Sequence, residues 1–195
     1  DWSSDVCSSD LRVNVLDAII QLSNQGVKTG PGQAWQNQVM GAIANAPGAD
    51  GLFPGWKAQV TNAQELNKFL YQNGQRAWQA AGGTGTDAQL EATSKSQPND
   101  AMFPAALRNT AAWVKAGELA GQAKANAMDQ WLAEKGNSPQ SQQQFEAAWR
   151  NSFRPNDYIK QTMPPVNDQG WILRQDPKGR LAYVSPDGKT AKGIW

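Results

Sequence analysis

The stretch PAALRNTAAWVKAGELAGQAKANAMDQWLAEK, residues 104–135, decides the fold class. After Pro104 it contains no proline, and it is rich in alanine, which favours helix. Trp113, Ala116, Ala120, Ala123, Ala127 and Trp131 recur at steps of 3, 4, 3, 4 and 4, which predicts one apolar seam along a long helix. Small residues in such a seam let a neighbouring helix approach closely. These six residues are the expected helix-packing seam.

The flanks extend the pattern. Gly136 follows as a stop, and Ser138-Pro139 opens another helix, with serine as cap and proline at the first position. Phe145, Ala148, Trp149 and Phe153 supply its apolar face, so an antiparallel helical hairpin is expected. Upstream, residues 12–24 read as a helix with Val13, Leu16, Ile19 and Ile20 on one side and Gln25-Gly26 as its stop. Residues 33–46 read as a second, with Trp35, Val39 and Ile43 four apart. Gly-Pro-Gly within 29–32 separates the two, and Pro47-Gly48 and Pro54-Gly55 punctuate a loop over 47–56. A capping box at Thr61–Gln64 opens a third helix carrying Leu66, Phe69, Leu70 and Trp78, with Gly74 as a weak point and Gly82-Gly83 as its end. A second capping box at Thr86–Gln89 opens a short helix through about Ser94.

Beyond Arg154 the pattern changes. Residues 155–169, with Met163-Pro164-Pro165, read as a linker. Residues 171–174 and 180–184 then alternate as strands around Asp176-Pro177-Lys178-Gly179, a type I turn with a glycine bulge. That turn sets the register, pairing Asp176 with Arg180 and Leu173 with Tyr183. Trp171, Leu173, Leu181 and Tyr183 share one face. Because an isolated hairpin is marginal in water, this face is the expected docking surface, toward the helices or toward a partner. Ser185-Pro186-Asp187-Gly188 offers a second turn. The expected architecture is mainly α, helical hairpins or an irregular bundle, with a small C-terminal β-hairpin or meander. Its regions are 12–81, 82–154, the linker 155–169 and the appendage 170–195.

Residues 1–11, DWSSDVCSSDL, match a common sequencing-library adapter translated in frame. They are expected to be a disordered artefact in front of a chain whose own start, with any targeting signal, is missing. Without them the only cysteine is lost. The 17 acids less Asp1, Asp5 and Asp10 leave 14 against 18 basic residues, a net charge of +4 in place of +1. The ending Ala191 to Trp195 is likewise read as truncated or frame-damaged.

With neither cysteine nor histidine left, thiol or serine–histidine catalysis and the usual zinc sites are excluded for these residues. No cofactor is expected. Gly82-Gly83-Thr84-Gly85-Thr86 lacks the lysine and preceding strand of a phosphate loop and reads as a helix stop and start. Asp87 with Glu91, and Asp129 with Glu134, are the carboxylate pairs a glycosidase would need, and they read as ordinary helix residues. Asp157, Asp168, Asp176 and Asp187 lack calcium-loop spacing and read as turn residues. Lysine and arginine are spread along the chain, which gives no strong nucleic-acid signal, and no run reaches the roughly eighteen apolar residues of a membrane span. Most tryptophans fall at helical spacing, where packing explains them.

The elements GGTGTDAQLEAT (Gly82 to Thr93), Pro98-Asn99-Asp100 and FEAAWR (Phe145 to Arg150) resemble a family of virion-associated proteins of tailed bacteriophages. The tail GWILRQDPKGRLAYVSPDGKT (Gly170 to Thr190) resembles the C-terminal hairpin of many phage structural proteins. The resemblance covers a little under half the chain. It implies a non-enzymatic virion component, tail- or DNA-ejection-associated, assembled in the host cytoplasm and contacting other virion proteins or further copies of itself. It supplies no functional residues. Two alternatives stand beside it: a fragment of a virion-associated peptidoglycan-degrading enzyme, resting on the carboxylates, and a binding module for a bacterial or nucleic-acid partner, which needs exposed tryptophans or a basic stripe.

Overall fold

A computed structural model describes residues 2–29, 33–45, 63–83 and 103–193. Among these are six helices: α1 (Trp2–Thr29), α2 (Gln33–Asn45), α3 (Ala63–Ala80), α4 (Phe103–Lys135), α5 (Pro139–Ser152) and α6 (Pro155–Thr162). A three-stranded antiparallel sheet follows, β1 (Ile172–Gln175), β2 (Leu181–Val184) and β3 (Ala191–Gly193), in the order β1-β2-β3. The fold is therefore mainly α with a small C-terminal sheet.

The long helix α4 is the hub, packed against α1, α3, α5 and α6. Its first half is buried on nearly all sides, with Leu107, Ala111, Ala112, Val114 and Ala116 inaccessible to solvent. α1 lies antiparallel along it, and a ladder of polar contacts fixes the register. Asp10 accepts from Gln122 at 2.7 Å, Arg12 meets Glu118 at 2.9 Å, Lys115 meets Asp17 at 2.6 Å, and Arg108 reaches Asn24 at 3.4 Å. Val15, Leu16 and Ile19 fill the interface between these contacts.

This register explains a correction at the N-terminus. Helix runs from Trp2, where the adapter reading expected disorder over residues 1–11. α4 is 33 residues long and offers α1 a partner surface beyond Arg12, and helix propagation is easy once a turn exists. Asp10 and Leu11 are nonetheless exposed. At its other end α1 passes Gln25-Gly26 and stops at Thr29, because one helical glycine costs only about 1 kcal/mol.

α3 crosses α4 through a reciprocal notch. A Cβ at Gly74 would collide with Trp113 Cζ3 and come within 2.8 Å of Val114, and a Cβ at Gly117 would lie 3.1 Å from the Trp78 ring. Each tryptophan thus covers the other helix's glycine, and the Trp78 indole N–H donates to the Trp113 carbonyl at 3.2 Å. Gly74, expected as a weak point of α3, is its closest approach to α4. α3 ends in a Schellman motif, with Gly83 N–H donating to Trp78 O at 2.9 Å, Gly82 N–H to Gln79 O at 3.0 Å, and Gly82 at φ +93°. Gly82-Gly83 is thereby accounted for as a helix stop. The rest of that loop, the short helix opened at Thr86, the Asp87–Glu91 pair, Pro98-Asn99-Asp100, the Thr61 cap and the loop over 47–56 lie outside the described residues.

α5 returns along α4 as the hairpin expected from Gly136 and Ser138. Ser138 Oγ accepts the Ser141 N–H at 3.1 Å with Pro139 in the first turn. Residues 155–169, read as a linker, are a correction. They form α6 and then a tight loop. Pro155 at the first position, Asp157 in the first turn and Ile159 and Met163 four apart are ordinary helix signals, overshadowed in the sequence by the prolines that follow.

Candidate interaction surface

The turn chemistry places the sheet as the sequence implies. Gly179 sits at φ +80° and donates to Asp176 O at 2.9 Å, and Asp176 N–H donates to Arg180 O at 2.9 Å. Leu173 pairs with Tyr183. The Asp176 carboxylate accepts the Lys178 and Arg180 amides at 2.9 and 2.8 Å and the Arg180 side chain at 2.7 Å. Those bonds, led by the Arg180 amide, hold it below its ordinary pKa. At the second turn Asp187 is likewise lowered, chiefly by the Ser185 hydroxyl at 2.5 Å. The turn ends in a third strand, so the hairpin is a meander.

The face bearing Trp171, Leu173, Leu181 and Tyr183 is turned inward. Leu181 and Tyr183 are buried, and Leu173 and Trp171 are half-buried. Leu181 joins Ile159 and Met163 in the core, and Tyr183 OH donates to Pro164 O at 2.7 Å. Burial pushes the Tyr183 pKa up to about 12, with nearby Arg108 opposing and Asp168 reinforcing the shift. This face, expected to dock on the helices or on a partner, is turned toward the protein's own helices, with Ile159 of α6 and Met163 just after it in the same apolar cluster as Leu181.

An ion pair, buried on its arginine side, holds the loop before β1 to the bundle. Arg108, only 4% exposed, donates to both Asp168 oxygens at 2.7 and 3.2 Å. Asn167 Oδ1 accepts the Gln169 and Trp171 amides and closes the loop. Sequence reading took Asp168 as a turn residue and passed over Arg108, whose only signal was a cation in the middle of an apolar stretch.

The outward face has a different character. Val166 bridges Ile172, Ile172 pairs with Val184, and Val184 with Ala191, so these four form one apolar row across the sheet. Val166 is 49% and Ile172 39% exposed. The adjacent row carries Arg174, paired with Ala182. One side of β1 is covered by its own chain, since Leu173 N–H donates to Pro165 O at 2.8 Å.

The seam on α4 divides between partners. Trp113, Ala116 and Ala120 are buried, and Ala123, Ala127 and Trp131 are half-buried. Trp113 meets α3, whereas Trp131 meets α5, donating to Ser141 O at 3.1 Å and packing on Phe145. The rings run on continuously from Tyr71 through Trp113, Trp78, Phe153, Trp149 and Phe145 to Trp131. Every tryptophan side chain among the described residues is buried or half-buried. Trp56 and Trp195, and the side chains of Trp2 and Trp35, lie outside them.

Asp129 and Glu134 are both exposed on the surface of α4. Among the described residues no three ligating side chains gather as a metal site, and no helix is long and apolar enough to cross a membrane. No family model, no curated protein and no solved structure matches the chain.

Proposed function

We propose that this protein is a non-enzymatic structural component of a larger particle, with the helical bundle as a firm mount and the outer face of the sheet as its contact surface. The observation that supports this most is the contrast between the two sheet faces. One is turned to the helices, and the other leaves Val166, Ile172 and Ala191 exposed and Val184 half-exposed in one row. Exposed apolar surface on an otherwise polar protein marks contact sites. Among the described residues, most of the aromatic side chains that a sugar- or base-stacking site would use are packed between helices instead.

The particle in this reading is a tailed-phage virion, in a tail- or DNA-ejection-associated position, and the partners are other virion proteins. This part rests on the resemblance of residues 82–93, 145–150 and 170–190. Mass spectrometry of purified particles from a producing host tests it. Peptides from α4 and the sheet at stoichiometric abundance are expected. Particles with full protein coverage that lack them would refute the reading.

A further inference from the structure

No further inference is drawn: the strongest candidate, the apolar row of Val166, Ile172 and Val184 on the outer face of the sheet, belongs to the contact surface already proposed, and nothing in the structure shows what covers it.

Discussion

At the α3–α4 crossing, Trp78 and Trp113 are 35 residues apart, and each is received by a glycine on the opposite helix. In the sheet, Leu173 and Tyr183 are joined across one tight turn whose own residues dictate the pairing. The crossing is specified by shape between distant segments, the sheet by backbone conformation within a short one. A tryptophan over a glycine has no tolerance, because helix spacing there is set by the absence of a side chain. A turn-encoded sheet tolerates side-chain change but needs a platform, which α6 and Arg108 provide.

The comparison can be broken most forcefully at Gly74. A methyl group there meets the Trp113 ring, so Gly74→Ala should lower stability by about 2–3 kcal/mol in urea unfolding, despite the better helix propensity of alanine. Unfolding midpoints equal to wild type would mean that the notch is looser than described.

The sheet should respond to loss of its anchor. Asp168→Ala leaves the buried Arg108 guanidinium without its carboxylate, at a cost of about 1–3 kcal/mol, below the roughly 3–5 kcal/mol of a fully buried pair because Asp168 is a third exposed. Hydrogen exchange should accelerate over residues 164–173 and leave the amides of α3 unchanged. Faster exchange in α3 as well would show that the two regions unfold as one.

Tyr183 gives a pH-dependent version of the same test. Its pKa is raised in the folded protein, from 10.0 to about 12. The stability it contributes is therefore fully present below pH 10 and is lost as pH rises through about 12, by ~2 kcal/mol. Tyr183→Phe should remove that part of the alkaline decline, read as the difference between the two proteins' unfolding curves. Parallel curves would mean that the phenol titrates alike folded and unfolded.

The smallest expected effect has the opposite sign. Gly121 lies on the same helix as Gly117, but a Cβ there would meet nothing within 4 Å. Gly121→Ala should stabilise by about 0.5–1 kcal/mol, which separates the cost of losing a notch from the ordinary cost of a helical glycine.

What could be read in the sequence follows this division. The sheet register was legible because Asp176-Pro177-Lys178-Gly179 admits few conformations. The hairpin of α4 and α5 was legible through Gly136, Ser138 and Pro139. The α3–α4 crossing was not, since Gly74 has the same local cost whether it faces solvent or a ring. The seam of Trp113 to Trp131 was visible as a stripe, but its division between α3 and α5 depends on where those helices lie. The inward orientation of Leu181 and Tyr183 was undecided for a similar reason. Alternation defines two faces and does not say which one the helices cover. Arg108 was missed because its partner, Asp168, sits 60 residues away in a loop that gave it an adequate local explanation.

The two glycine notches also constrain how this protein can vary over time. Positions 74 and 113 share one volume, so Gly74 cannot enlarge unless Trp113 yields, and Gly117 can enlarge only where the Trp78 ring gives by a few tenths of an ångström. A descendant lineage that enlarged Gly74 would have to shrink Trp113 in compensation, and a weaker form of the same exchange holds for Gly117 and Trp78. Correlated inversion of small and large residues at these four positions is the trace the crossing would leave among related chains.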